Sequence, residues 1–384
     1  MTASRFIFVT CQIGAETALK HETARRWPEL RFAYSRPGFL TFKLPPEMGD
    51  DFAFEAVFAR SWGFSLGKAE GTTPDERARE VWQLAGERKF DKVHVWPRDR
   101  LAAGEHGYQP GTSDESLAAR AAIMAAAPDD RWGLAHFAVP GEQYVPVPFS
   151  EPTKLDDAVL DVIVIDEKLW WVGWHRASTF AGRYPGGLVE LKLPEDAVSR
   201  AYLKMEEALR WSRLPVKRDE AVAEIGCAPG GSCQSLLRRG LYVLGVDPAM
   251  VAPEVLDHPR FVQIRKRANS VRRREFRKVR WLTADMNVAP EYTLDAVEAI
   301  VTHEQVPIRG MLITLKLVEW QLADELPKWL ERIRSWGFSE VRARQLMYNR
   351  QEVCVMAMRP KKRDAARQAG SKERGQRRLT DTPE

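Results

Sequence analysis

The stretch Ile225-Gly226-Cys227-Ala228-Pro229-Gly230-Gly231-Ser232 decides how the second half of this 384-residue chain is read. It follows the apolar run Ala221-Val222-Ala223 and leads into an amphipathic segment, Gln234 to Arg239. Strand, glycine-rich turn and helix start therefore come in immediate succession. The glycines let the backbone approach a ligand closely and take dihedrals barred to other residues. The helix start adds free N–H donors and a positive dipole end. Together they predict a nucleotide-type pocket. It is not the dinucleotide fingerprint G-x-G-x-x-G, and Pro229 has no N–H to offer a pyrophosphate. A purely structural turn is the alternative reading of the glycines alone.

The neighbouring strands sharpen this. Leu241-Tyr242-Val243-Leu244-Gly245-Val246 ends in Asp247, whose carboxylate can accept both hydroxyls of a ribose. Val279 to Thr283 leads to Asp285-Met286. Met311-Leu312-Ile313-Thr314-Leu315 carries Lys316, and a lysine in so apolar a run is seldom buried without a partner. The plainer alternative is a lysine just past the strand, stem packed and head in water.

Ile225 to Ser232 resembles motif I of S-adenosylmethionine methyltransferases. Ser199-Arg200-Ala201-Tyr202-Leu203-Lys204-Met205-Glu206-Glu207-Ala208 is similar to the S-R-S-x-L-K-L-E-E-A segment of the RlmM-type 23S rRNA cytidine 2'-O-methyltransferases, members of the FtsJ/RrmJ class. Phe180-Ala181-Gly182-Arg183-Tyr184-Pro185-Gly186-Gly187 to Leu193-Pro194 resembles that family's linker. The resemblance runs to about residue 360 and is weakest before residue 165. The class uses a Lys-Asp-Lys-Glu tetrad. The matching positions are Lys204 before motif I, Asp285 in Asp-Met, Lys316 at the end of the fifth strand, and Glu352 in Arg350-Gln351-Glu352-Val353. The resemblance implies S-adenosylmethionine as cofactor, touched by Gly226, Pro229, Gly230, Gly231, Ser232, Asp247 and Asp285, and ribosomal RNA as partner. It implies no metal and no obligate protein partner. The sequence departs from the family in four places. Ser232 replaces an aromatic, Ala201 a serine, and Glu224 a common aspartate, and Phe261-Val262-Gln263-Ile264 runs into Arg265-Lys266-Arg267 without the acid that faces the adenine.

In this reading Lys316 is the general base for a ribose hydroxyl, oriented by Lys204 and Asp285, with Glu352 steering the ribose or the lysine. A base lysine needs a lowered pKa. Burial and the nearby Lys204 ammonium push that way, and Asp285 and Glu352 oppose it. A plain network of ion pairs is the alternative.

The net charge is only +5, but its placement is uneven. Arg265, Lys266, Arg267, Arg272, Arg273 and Arg274 crowd the segment between the third and fourth strands, a candidate phosphate-binding surface. A solvated basic helix is the bland reading. Cys11, Cys227, Cys233 and Cys354 show no C-x-x-C spacing, so neither a disulfide framework nor a zinc site is expected, and packing is. No apolar run approaches the length of roughly 18 residues that marks a membrane span, and the start of the chain lacks a signal-peptide core. A cytoplasmic protein is expected.

Residues 6–13, 15–27 and 38–44 read as strand, helix and strand, a ferredoxin-like start. Helices are expected at 75–84 and 114–127, loop at 127–152, and a hairpin at 159–174. Trp170 and Trp174 alternate with Trp171, so at least one face is core, although tryptophans there also invite a base-stacking reading. The expected organisation is a ferredoxin-like unit (1–60), a THUMP-like RNA-binding region (61–190), an α/β Rossmann-like methyltransferase domain (191–360) closing on a strand pair at 340–346 and 352–358, and a basic disordered tail (361–384). The rival readings are a methyltransferase of another RNA target and a catalytically degenerate RNA-binding relative.

Overall fold

The structure is a computed structural model that describes residues 6–108, 110–128 and 153–360. The tail at 361–384 and all but the first two residues of the stretch at 127–152 lie outside the described residues.

Two seven-stranded sheets organise the molecule. The first contains β1 (Phe6–Thr10), β2 (Arg31–Arg36), β3 (Phe39–Lys43), β4 (Ser61–Glu70), β5 (Lys92–Pro97), β6 (Ala158–Asp166) and β7 (Leu169–Arg176). Its order is β2-β3-β1-β4-β7-β6-β5. β5 and β6 run parallel and the other pairs antiparallel. β4 hydrogen-bonds to β1 on one side and β7 on the other. The boundary expected at residue 60 therefore falls inside one continuous sheet, and the two expected N-terminal units share a core. Helices α1 (Glu16–Arg26), α2 (Pro74–Ala85) and α3 (Asp114–Ala125) accompany it. α2 starts where the sequence is built to start a helix: Thr73 and Glu76 form a reciprocal capping box, with Pro74 at the first position.

Both sheet faces are covered. Trp170 and Trp174 pack with Ile7, Val9 and Phe64, whereas Trp171 packs on the other face with Phe8, Phe39 and Trp96. The three indoles are 2%, 8% and 6% exposed in chain order. Base stacking on them is ruled out by packing.

The second sheet contains β8 (Ala221–Ile225), β9 (Tyr242–Val246), β10 (Phe261–Ile264), β11 (Trp281–Ala284), β12 (Gly310–Lys316), β13 (Glu340–Arg344) and β14 (Glu352–Met358). Its order is β10-β9-β8-β11-β12-β14-β13. The first five in that order are mutually parallel, and β14 runs antiparallel between β12 and β13. Helices α4 (Ala201–Ser212), α5 (Gly231–Arg238), α6 (Pro253–Leu256), α7 (Pro290–Val301) and α8 (Leu326–Ser335) complete the domain. The strand order reverses at β8, and in open α/β sheets ligands bind at the carboxyl edge beside such a reversal. Among the described residues, no helix is long and apolar enough to cross a membrane.

Candidate active site

Four side chains meet at that carboxyl edge. Lys316 is the last residue of β12 and pairs in register with Glu352, the first of the antiparallel β14. Asp285 follows β11, its N–H donating to the Ile225 carbonyl at the end of β8 (3.0 Å). Lys204 reaches in from the first turn of α4. The Lys316 ammonium lies 2.8 Å from Asp285 Oδ1 and also contacts Glu352 Oε2. The Lys204 ammonium lies 3.6 Å from Asp285 Oδ2 and contacts Glu352 Oε1. Each carboxylate thus spans both lysines. Glu352 is 3% exposed.

The electrostatics settle the contest left open by the sequence. Burial pushes the Lys316 pKa down, but the Asp285 and Glu352 carboxylates outweigh it and hold the pKa above its ordinary value. The balance that the sequence left open thus falls on the side of the two carboxylates beside the ammonium, which outweigh desolvation. Glu352 moves the other way. Burial raises its pKa, yet Lys204 and Lys316 together carry it well below the usual carboxylate range.

Glu352 is placed from several directions. Asn349 Nδ2 donates to Glu352 Oε1 (3.1 Å), while Asn349 Oδ1 accepts from the Leu346 N–H (2.9 Å). The buried Glu207 carboxylate on α4 accepts from the Met347 and Tyr348 N–H groups at 2.8 and 3.0 Å. Gln12, just after β1, donates to the Leu346 and Asn349 carbonyls at 2.9 and 2.7 Å. Gln12, Glu207 and Asn349 escaped the sequence reading. Glu207 alone left a signal, as an acid three residues after Lys204 on a helix that buries that face.

The glycine-rich loop is closed by protein contacts. Gly226 (φ 81°) places a notional Cβ 2.8 Å from the Asp285 carbonyl. A Cβ on Gly230 (φ 120°) would meet Val255 of α6 at 2.9 Å, and one on Gly231 would collide with Ser199. Gly230→Val would wedge the loop off α6 rather than fill ligand space. Ser232 is 5% exposed and turns its hydroxyl toward the Ala201 carbonyl (3.5 Å). The side chain faces α4, so what Ser232 can offer a ligand is backbone.

Asp247 Oδ2 accepts from the Ala228 N–H (3.2 Å) and Oδ1 from the Ala249 N–H (2.8 Å), which orients the carboxylate and leaves lone pairs for two hydroxyls. The N-terminus of α5 has no side-chain cap. Ser199 Oγ, buried with no hydrogen-bond partner, lies against Gly231 there. Free N–H groups and an unused hydroxyl suit a carboxylate. The residues fit the methyl donor, with Asp247 on the ribose side and the α5 start on the amino-acid side. The end of β10 offers no acid: Gln263 is spent on the Val251 N–H and the Ala249 carbonyl.

A cavity of about 550 Å³ opens beside Lys204, Lys316 and Glu352. Its walls include Tyr348 and Arg350 from the β13–β14 loop, and Ala103, Gly104 and Tyr108 from the N-terminal half. Tyr108 accepts from Arg60 (3.1 Å), which is ion-paired to Asp99 (2.7 Å), all largely buried.

The basic segment divides. Arg265, Lys266 and Arg267 follow β10 at the carboxyl edge and are exposed, as are Arg272 and Arg274 farther on. Arg273 is half-buried and donates to the Val271 carbonyl (2.9 Å), so it fastens its own turn.

Residues 197–328 match the FtsJ-like methyltransferase family. The ribosomal RNA large subunit methyltransferase M of Alkalilimnicola ehrlichii is 34% identical over 198 residues, covering 48% of this chain and 52% of that protein. The protein of that name from Halorhodospira halophila is 31% identical over 180 residues, 46% of this chain and 51% of the relative. The chain spans about half the length of the curated relatives it matches. A Methanococcus jannaschii fibrillarin pre-rRNA processing protein superposes with a TM-score of 0.35 at 14% identity, covering 57% of this chain and 85% of that one, a likeness too slight to argue from. The FtsJ-like match spans residues 197–328, a stretch that includes Lys204, Asp285 and Lys316.

Proposed function

We propose that this protein transfers a methyl group from S-adenosylmethionine to a ribose 2'-hydroxyl of ribosomal RNA in the cytoplasm. The observation that carries this reading is the four-residue cluster: two ammonium groups bridged by two carboxylates at the mouth of a cavity, on the sheet edge that also carries Asp247 and the α5 N-terminus. The cofactor would supply a methyl already activated on a sulfonium. The chain's own residues must then hold the hydroxyl in line and dispose of its proton. In this reading Lys316 faces the hydroxyl oxygen. Its ammonium stabilises negative charge growing on the oxygen, and its small neutral fraction accepts the proton. Lys204 and Asp285 hold the Lys316 head in place, and Glu352 anchors both lysines. Alignment of this kind is worth roughly 7–11 kcal/mol, and a positioned base about 10²–10⁴-fold.

The cavity falls within the range of about 300–1,000 Å³ typical of ligand pockets. Two tyrosines and an arginine at its walls suit an unstacked base and its phosphate, the usual target of RNA-specific recognition. Arg265, Lys266 and Arg267 extend the positive charge along the same edge. Mapping ribose methylation across ribosomal RNA, with the gene intact, deleted, or replaced by Lys316→Ala, tests the proposal. One site should lose its methyl in the deletion and stay unmethylated with Lys316→Ala. An identical map in all three strains would refute it.

A further inference from the structure

Three adjacent strands of the first sheet carry a buried polar cluster that methyl transfer does not use. His94 lies on β5, Asp161 on β6 and His175 on β7. His94 pairs in register with Asp161, and Asp161 with Gly173, two residues before His175. Alternation sends all three side chains to one face. They are 5%, 0% and 5% exposed, so each polar atom must be accounted for.

The two rings are held alike. His175 Nε2 lies 2.7 Å from the Gly182 carbonyl, and His94 Nε2 lies 2.8 Å from Thr153 Oγ1. Each ring spends Nε2 on an outer partner and turns Nδ1 toward Asp161. Asp161 Oδ2 is 2.5 Å from His175 Nδ1, and Oδ1 is 3.9 Å from His94 Nδ1. Although buried, His94 Nδ1 and Asp161 Oδ1 have no hydrogen-bond partner. One ligand atom from each of the three residues lies within 4.8 Å of the others.

We propose that His94, Asp161 and His175 bind a divalent transition-metal ion of the zinc class, through both Nδ1 atoms and one oxygen of the carboxylate, leaving a fourth position open to solvent. Imidazole and carboxylate without thiolate suit such an ion. Bonds of about 2.0–2.2 Å at tetrahedral angles put neighbouring donors roughly 3.4 Å apart. The observed 2.5 and 3.9 Å from Asp161 to the two rings lie on either side of that spacing, and the three ligand atoms lie within 4.8 Å of one another. Outer hydrogen bonds on the far ring nitrogens are what a ligating histidine needs to fix its tautomer. Without the ion, His175 faces an acceptor at each nitrogen and must carry both protons. Metal binding would replace the Nδ1 proton of His175 and release it to solvent. His175 and Gly182 also border a cavity of about 930 Å³ between the first sheet and β13, which gives an ion a route in. The role is structural: the ion would tie together β5, β6 and β7, and the chain leaving β5 forms the far wall of the catalytic cavity.

The test uses the full chain, stripped with a chelator, dialysed, and titrated separately with Zn²⁺ and Co²⁺. One equivalent should bind, with one proton released per ion, a raised melting temperature, and visible ligand-field absorption with Co²⁺. His94→Ala and Asp161→Asn should abolish these signals, while His21→Ala, a surface control, keeps them. Unchanged binding of S-adenosylmethionine would show the variants folded. If they do not fold, X-ray absorption on the Co²⁺-loaded wild type decides: nitrogen and oxygen neighbours including two imidazoles support the site, and sulfur neighbours overturn it. A folded wild type that takes up no more metal than His94→Ala overturns it too, and leaves a hydrogen-bonded triad holding a proton.

Discussion

Lys316 is the residue on which the proposed chemistry turns, and its surroundings set a pH signature. Its folded pKa is raised by Asp285 and Glu352, so at neutral pH the neutral amine is a minority. If that minority is the base, single-turnover methyl transfer should climb with pH through the neutral and alkaline range toward the raised pKa. Glu352→Gln removes one of the two carboxylates, lowers the Lys316 pKa, and should move the profile to lower pH while reducing its maximum. Lys316→Arg keeps the charge but cannot deprotonate, and should cost about 10²-fold or more with S-adenosylmethionine binding retained. Near-wild-type turnover in Lys316→Arg would place the base elsewhere. A second titration belongs to stability. Glu224 is fully buried on β8, which carries its pKa from 4.5 up to about 8, with the Thr283 hydroxyl as a partner. A raised folded pKa means the contribution is complete below the unfolded value and is lost as pH rises through the folded one. Wild-type stability toward denaturant should therefore decline from about pH 4.5 to 8, and Glu224→Gln should flatten that decline. At this scale the sequence grouped Lys204, Asp285, Lys316 and Glu352, because each sits at a motif position. It could not give the sign of the Lys316 shift, which depends on distances between side chains 31 to 112 residues away from Lys316 in sequence.

Among the elements, α4 and α5 form the joint between the glycine-rich loop and Lys204. Gly231 opens α5 against Ser199, on the approach to α4, and a Cβ there has nowhere to go but into the Ser199 hydroxyl and backbone. Gly231→Ala should push the start of α4 outward and carry Lys204 with it. The expected result is a lower melting temperature together with slower methyl transfer. A fall in stability with an unchanged rate constant would show that Lys204 is held independently of this contact. The strands of the second sheet were legible because parallel strands, covered on both faces, read as short apolar runs between turn signals. β2 and β4 were not. β2 is an edge strand whose residues are half-buried or exposed, with an irregularity between Phe32 and Tyr34. β4 is interrupted by glycines and shifts register between Ser65 and Gly67. Neither shows clean alternation, and without β4 the continuity of the first sheet across residue 60 cannot be seen.

Across the whole molecule, both halves of the chain line the cavity beside Lys204, Lys316 and Glu352. The buried Arg60–Asp99 pair, with Tyr108 on the same guanidinium, holds a wall contributed by the first half of the chain. Asp99→Ala strands a buried guanidinium, a loss of about 3–5 kcal/mol. Where the variant still folds, kcat/KM for RNA should drop while affinity for S-adenosylmethionine holds. Equal losses in both would mean the wall supports the cofactor side as well. Reversing Arg265, Lys266 and Arg267 to Glu should weaken RNA binding and flatten its salt dependence, since each phosphate contact on a single strand contributes roughly −0.7 to the log–log slope. An unchanged slope would make the segment a solvated face. The second sheet also has an order of assembly written into it. Glu352 opens β14, which slots between β12 and β13 and is synthesised after every other described strand. A nascent chain halted after β13 can fold the first sheet and pair β8 through β12, yet it leaves two lysines facing one aspartate and an unzipped edge on β12. For a protein proposed to work on ribosomal RNA, a fragment that stops short of β14 lacks Glu352 and is expected to be inert toward the particle that is making it, with competence arriving with the last strand.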